Sequence, residues 1–570
     1  MSAFDAIVVG SGITGGWVAK ELCERGLKVM VLDRGKKIVA GEDYSDLLSP
    51  WELENFDQLP EAEAAERYGR ITEAIGLRSY LRNSNKHFFG REDESPYEVA
   101  SDSGFALVQA YSSGGKSLVW SRHTYRFGEI DFEANKADGI GEDWPLRYED
   151  LRPWYERVEK FAGISGSVEN LPQLPDSIFQ PPFELNCAEK VLKQKVEARF
   201  PHRRVIPARC AHLTKPTAEQ LELGRGKCQI RNQCHRGCSF GAYFSSVSAT
   251  LPAAEKTGRL EQREYAIVHS LEYDPTSRRV TGVRVIDARD RSRSVMQAPI
   301  VFLCASTVAT TVILLNSTSE RYPEGLGNDS RQLGLNLMDH VGGARATGRL
   351  PGMEDRYYSG RRPVGYYVPR YRNFLEGGSG FSRGFAFQGM AWRDGWTGDR
   401  PGIGEAFKTS NRQPGPWRVS MWAMGEMLPR AENRITLHSS KKDKWGIPIP
   451  IFHIGSRHNE LKMMQQAADD AHDMLASAGC VEIETRRPVE ESQLSVPGSK
   501  VHEMGTARMG YDPKTSVLNG YNQVHGIANL FVADGACMPS SPSQNPSLTY
   551  MALAARAAHQ AADLFAAGRL

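Results

Sequence analysis

Apolar positions follow two patterns along this chain. Short unbroken runs occur at Ile7-Val8-Val9, Val29 to Leu32, Ile300 to Leu303 and Leu530-Phe531-Val532. Runs without polar alternation predict strands covered on both faces, as in a parallel sheet. Between the first two lie Gly10-Ser11-Gly12-Ile13-Thr14-Gly15 and a helix-compatible segment, so the chain opens as strand, tight turn, helix, strand. A helix over 305–315 follows the third run, and an Ala-rich helix starting at Asn545-Pro546 extends almost to Leu570. Elsewhere the pattern alternates. Val268 to Tyr273 and Val280 to Ile286 predict a hairpin turning near Asp274-Pro275. From about 346 to 495, short aromatic-rich segments predict a second, mainly antiparallel sheet: Gly365 to Val368, Phe385 to Phe387, Met390 to Trp392, Arg418 to Ala423 and Ile435 to Leu437. Further helices are expected from the segment opening at Trp144 to about Ala162, over 459–477 and over 61–75, the last in a charged, irregular stretch read as a surface connection.

The nucleotide-binding pattern therefore stops after Asp33 and resumes far downstream. This predicts an α/β fold, a Rossmann-type domain interleaved with a substrate domain built on the antiparallel sheet. Segments 1–40, 100–145, 250–345 and 497–570 are assigned to the first, 346–496 to the second, and 146–249 to a helical region carrying cysteines. At 570 residues the chain exceeds one ordinary core. Seventy basic and 68 acidic residues leave a net charge of +2, which gives no long-range attraction to nucleic acid. Direct membrane insertion is not expected either, since the best apolar candidate, Pro299 to Leu315, is broken by Ser306, Thr307, Thr310 and Thr311. The first strand begins almost at once, without a signal peptide of its own, which points to the cytoplasm or to export with a partner.

The glycines carry the first chemistry. Gly10 suits the tight turn, Gly12 lets backbone approach a pyrophosphate, and Gly15 lets helix pack on strand. The helix N-terminus presents free N–H groups to phosphate, and Asp33 is placed to accept hydrogen bonds from an adenosine ribose. The motif alone does not separate NAD from FAD. Gly114 and Gly115, ahead of Ser117, allow main-chain N–H groups to lie against a flat ring or a phosphate. Of nine cysteines, Cys23, Cys187, Cys304, Cys480 and Cys537 are scattered among apolar or small neighbours and read as core residues. Cys228, Cys234 and Cys238 are spaced to hold a metal or an iron–sulfur cluster, with zinc completed by Cys210 or His235, or buried thiols holding nothing, as the competing options.

Taken in order, Gly10-x-Gly-x-x-Gly15, Gly114-Gly115-x-Ser117, Trp144-Pro145, Gly334-x-Asn336-Leu-x-Asp-His340, His502-x-x-Gly505-Thr-x-x-Met509-Gly510, Val532-x-Asp534-Gly535 and Asn545-Pro546 resemble the glucose–methanol–choline (GMC) flavoenzyme family along the whole chain. The resemblance implies FAD, a discontinuous FAD domain, and a substrate sheet facing the flavin. It implies that His502 and Asn545 form the catalytic pair and that Asp534 holds the ribityl–pyrophosphate region. Gly10, Gly12, Gly15, Asp33, Gly114, Gly115, Ser117, Val268, Asp534, Asn545 and Pro546 make up the implied cofactor set. Some members attach FAD through a histidine two residues after the serine of G-G-x-S; Val119 stands there, so FAD is expected to be non-covalent. An imidazole titrates in the range needed to take a hydroxyl proton as hydride leaves carbon for flavin N5.

The cysteine spacing resembles that of bacterial FAD-dependent sugar dehydrogenases in which three thiolates hold a 3Fe-4S cluster, although Ser239 stands where related segments often have proline. Glu129-x-Asp131 to Asn135, Phe161 to Gly166 and Leu326 to Ser330 extend the resemblance to glucoside 3-dehydrogenases. These oxidise a glucoside at C3 to a 3-keto sugar. That resemblance implies a sugar or glucoside substrate, electrons leaving through the cluster to an acceptor such as cytochrome c, and a small helper subunit able to carry an export signal to the periplasm. Glucose 1-dehydrogenase, polyol or sugar-acid dehydrogenase and pyranose oxidase-like chemistry would use the same machinery.

Overall fold

The computed structural model describes residues 3–74, 80–356, 363–377, 380–393, 403–412 and 415–570. Five strands form a parallel sheet: β1 (Ala6–Val9), β2 (Val29–Leu32), β3 (Leu260–Arg263), β4 (Ile300–Leu303) and β5 (Leu530–Val532), ordered β5-β4-β1-β2-β3. Ala6 stands level with Val29 on one side and Ile300 on the other, so the chain's opening lies at the centre of the sheet. All residues of β1, β2, β4 and β5 are buried, which is why these runs carry no alternation. Helix α1 (Ile13–Glu24) leaves β1 and packs against α3 (Ser547–Ala566), while α2 (Thr307–Leu315) follows β4. The expected hairpin is present as Ala266–Asp274 paired with Arg279–Asp287, and Arg293–Met296 adds a third antiparallel strand.

The second sheet has six strands, in the order Val481–Arg486, Arg345–Leu350, Trp417–Gly425, Phe385–Arg393, Tyr366–Val368 and Ile206–Pro207, with every adjacent pair antiparallel. Helix His458–Ser477 covers it with Met463, Met464, Ala467, Ala471 and Met474, at the spacing that keeps one helical face apolar. Phe385 to Phe387 and Met390 to Trp392 prove to be one strand.

The structure departs from the sequence reading in three places. Ile435 to Leu437 does not join the six-stranded sheet. The tight turn at 443–447 folds Arg434–Lys442 back on Pro448–His453, and that hairpin pairs with Glu98–Val99. The stretch after Asp33 is more than a surface connection, because Ile38, Tyr68, Ile71, Leu81, Phe88 and Phe89 bury themselves with Val108, Leu118 and Val119 in a small core of their own. Within it the expected helix is broken at Gly69 (φ +40°) into Glu61–Tyr68 and Arg70–Ala74. Of the five scattered cysteines, four are buried and Cys187 is half-buried.

Candidate active site

A cavity of about 490 Å³ opens at the carboxyl ends of β1, β2, β4 and β5, the edge where open parallel sheets bind ligands. At its outer end lie Gly10, Ser11, Gly12 and Asp33. Gly10 has φ +93°, and a β-carbon there would stand 2.6 Å from the Cys304 carbonyl oxygen. One on Gly15 would stand 1.8 Å from the Gly10 carbonyl oxygen, so Gly15 seats the helix on the strand from behind the cavity wall. A β-carbon on Gly12 would meet nothing within 4 Å. No side chain caps α1 at Gly12, so its first N–H groups remain available to an anion. The Asp33 carboxylate accepts from the Ser11 N–H at 3.0 Å, the Ser11 hydroxyl, and the Gly35 N–H at 3.1 Å, while burial pushes its carboxyl pKa up.

Gly115, Ser117, Val119 and Val268 line the middle of the cavity. Gly114, with φ +92°, caps the short turn Gly115–Leu118 behind it and accepts the Ser117 hydroxyl at 2.6 Å. Asp534 lies at the end of β5, where its carboxylate accepts from the Thr310 hydroxyl at 2.5 Å and the Ala536 N–H at 3.0 Å. Burial raises its pKa to about 6. Pro546 caps α3 and holds Asn545 at the inner wall.

His502 and Asn545 meet at the inner end, with Asn545 Nδ2 3.4 Å from His502 Nε2. Two residues to which the sequence reading gave no role, one of them inside a quoted motif, complete this end. Gln388 Nε2 donates to Asn545 Oδ1 at 2.6 Å from the six-stranded sheet, and His340 Nδ1 lies 2.8 Å from His502 Nδ1. The backbone of the histidine loop is pinned by Asp339, whose carboxylate accepts from the N–H groups of Gly498, Lys500 and His502 at 2.7, 3.1 and 3.1 Å. Asp339, His340 and His502 do bring ligand-type atoms within 4.8 Å of one another, but these contacts are spent on hydrogen bonds within the protein. Burial drives the His502 pKa well below the usual imidazole value, aided by His340, Lys116, Lys500 and His123. The shift favours the neutral ring, the form able to accept a proton.

With this geometry in place, comparison with known proteins finds the GMC oxidoreductase N-terminal pattern over residues 5–342 and its C-terminal pattern over 429–554. This chain belongs to the GMC oxidoreductase family. GMC enzymes are FAD-dependent oxidoreductases acting on CH–OH groups, and this chain is one of them. The fructose dehydrogenase large subunit of Gluconobacter japonicus is 25% identical over 566 residues, covering 97% of each chain. The 2-methyl-1,2-propanediol dehydrogenase of Mycolicibacterium austroafricanum is 26% identical over 571 residues, covering 97% of this chain and 94% of its own. The pyridoxine 4-oxidase structure from Mesorbium loti superposes with a TM-score of 0.60 at 14% identity, covering 98% of each chain, and so shares the fold. The residues present fit the GMC cofactor: an uncapped helix start and the open face of Gly12 suit a pyrophosphate, and the cavity volume lies within the ~300–1,000 Å³ typical of such sites.

The GMC fold also brings Cys228, Cys234 and Cys238 together, around a separate small pocket that they line with Asp46, His212 and Ile230. Cys210 and His235, the residues considered as a fourth zinc ligand, each have another polar partner. Cys210 packs on the Ser165 hydroxyl at 3.2 Å, and His235 Nε2 lies 3.6 Å from an Asp57 oxygen. The histidine beside the thiols is His212, with Nε2 3.7 Å from Cys234 Sγ. Burial raises Cys228 to about 11 and also raises Cys234, with Arg122 and Arg231 working against the rise at Cys234. Ser239 donates its N–H at 3.1 Å and its hydroxyl at 2.6 Å to Asp46. A proline there would lack that N–H, which accounts for the departure noted in the sequence. Among the described residues, no helix is long and apolar enough to cross a membrane.

Proposed function

We propose that this chain is the catalytic subunit of a dehydrogenase that oxidises a secondary hydroxyl of a glucoside, at C3, to the ketone. The pairing of His502 Nε2 with the Asn545 amide at the inner end of the cavity is the observation that carries the oxidation of a hydroxyl, and the choice of C3 rests on the resemblance to glucoside 3-dehydrogenases. Bound non-covalently, FAD supplies a hydride acceptor at N5. The Asn545 Nδ2 donates to the substrate oxygen and holds it, and His502 Nε2 takes the hydroxyl proton as the C–H hydrogen departs with its electron pair. The substrate thereby loses one proton and one hydride. Gly10, Gly12 and Asp33 anchor the adenosine–pyrophosphate end, and Gly115, Ser117, Val268 and Asp534 wall the middle.

In this reading Cys228, Cys234 and Cys238 would hold a 3Fe-4S cluster, whose chemistry would be one-electron transfer toward an external acceptor such as cytochrome c. Three half-buried thiols around one pocket, with Arg122 and Arg231 nearby to offset thiolate charge, favour it. The similarity to a protein named as a large subunit favours a helper subunit. The similarity to a propanediol dehydrogenase favours a second reading, oxidation of a small polyol. Anaerobic methyl glucoside should bleach the flavin, and NMR of the product formed with an artificial acceptor should show a 3-keto sugar; oxidation only at C1 or C6, or only of a small diol, overturns the C3 assignment. Iron and acid-labile sulfide should both be present, with a paramagnetic signal in the oxidised protein. Zinc, or no metal, ends the relay.

A further inference from the structure

We infer that His340 is a positioning residue that fixes His502 in the tautomer with a bare Nε2, through a one-way chain of hydrogen bonds ending on the carbonyl of Pro542. This rests on the reading of His502 as the base. Nothing in the motifs assigned His340 a task, and its side chain is 1% exposed and does not line the cavity. Any effect it has on the reaction passes through His502.

The direction of the chain is set where there is no choice. The Pro542 carbonyl can only accept, so His340 Nε2, 2.5 Å away, carries the proton. His340 is neutral, since burial lowers its pKa to about 4, and a neutral imidazole protonated at Nε2 offers Nδ1 as an acceptor. His502 Nδ1, 2.8 Å away, must then be the donor. Once its Nδ1 holds the proton, a neutral His502 has a lone pair at Nε2, the nitrogen that faces the cavity beside Asn545. The amides continue in the same sense, Gln388 Nε2 giving to Asn545 Oδ1 at 2.6 Å and Asn545 Nδ2 pointing at His502 Nε2 at 3.4 Å. The two imidazole planes stand at 88°, with ring centroids 4.9 Å apart, so the contact is edge to edge through nitrogen and involves no ring stacking.

The surroundings keep both rings neutral. Lys116, Lys500 and His123 are the other cationic or titratable groups acting on His502. Of the nearby carboxylates, Glu503 is paired with Lys116 at 2.8 Å, and Asp339 is occupied by three backbone N–H groups. Neither is a hydrogen-bond partner of the His502 ring. Without the acceptor at His340 Nδ1, His502 would be free to carry its proton on Nε2, where it cannot accept one from a substrate. When His502 takes the substrate proton, the Nδ1–H bond to neutral His340 is already in place and becomes charge-assisted.

The test reads the tautomer directly. In FAD-loaded protein carrying ¹⁵N-histidine, with the His502 signals assigned by their loss in His502→Gln, Nε2 should show the shift of an unprotonated nitrogen and Nδ1 that of a protonated one. His340→Leu should mix the two tautomers and lower kcat by about 10–100-fold with little change in KM, the size of effect seen when an outer partner of a functional imidazole is lost. His340→Asn, whose Oδ1 can replace the Nδ1 acceptor, should recover most of kcat and the single tautomer. A protonated Nε2 in the wild-type protein overturns the inference, as does an unmixed tautomer in His340→Leu. If His340→Leu does not fold, the wild-type and His340→Asn spectra decide. A His502→Ala protein that kept FAD and full turnover would instead remove the base reading, leaving the tautomer result intact.

Discussion

The two ends of the large cavity are built from different materials. At the outer end, backbone does the work: Gly10, Gly12 and the start of α1 lie within six residues of Gly15, and one carboxylate, Asp33, braces the turn. At the inner end four side chains, Gln388, Asn545, His502 and His340, arrive from segments far apart in the chain and join through their polar atoms. The outer end tolerates no added atom where strand meets helix. The inner end depends on which way each proton points.

Three measurements break or sharpen that contrast. The largest effect is expected for Gly15→Val, because even the first carbon of the new side chain would fall 1.8 Å from the Gly10 carbonyl oxygen. No rotamer relieves a clash with backbone, so the variant should yield no soluble flavin-loaded protein, read from the absorbance of purified material. A normal yield would show that this end is not a backbone device. Next is the pH dependence of kcat/KM. Burial, followed by the influence of His340, Lys116, Lys500 and His123, lowers the His502 pKa, so its basic form persists below the ordinary imidazole value of ~6.5. Activity should hold as pH falls to ~6.5 and be lost only below it, about tenfold per further unit past the limb. A limb at or above neutrality would mean that the inner end is solvated. The smallest effect is expected for Asp33→Asn, which keeps one acceptor facing Ser11 but removes the charge. FAD affinity, measured by titrating stripped protein, should weaken by about tenfold, in line with one charge-assisted hydrogen bond. An unchanged affinity would assign Asp33 to bracing the turn alone.

The same contrast explains what could be read from the sequence. Gly10, Gly12, Gly15 and Asp33 were legible because strand, turn and helix are contiguous and each glycine answers a local steric demand. β4 and α2 were legible because a fully buried strand has a plain apolar signature. His502 and Asn545 were reached through motif resemblance, and the structure places them side by side. His340 belonged to a recognised motif, but its task depends on a partner 162 residues away and on a proline carbonyl 202 residues away. Gln388 sits within an apolar strand, Phe385–Arg393, and looks like an interruption until the strand is laid against Asn545. The small core around Phe88 was missed because its rings come from turns and short helices with no period to follow.

Gln388 also ties two problems together that an engineer would prefer to solve separately. Its strand belongs to the sheet proposed to shape the sugar pocket, yet its amide holds the residue proposed to orient the reacting hydroxyl. Remodelling that sheet for a new sugar therefore tugs on the chemistry. Libraries that vary neighbouring positions while keeping Gln388 should retain turnover more often than those that randomise the whole strand, and natural drift in substrate choice along this lineage would be under the same restraint.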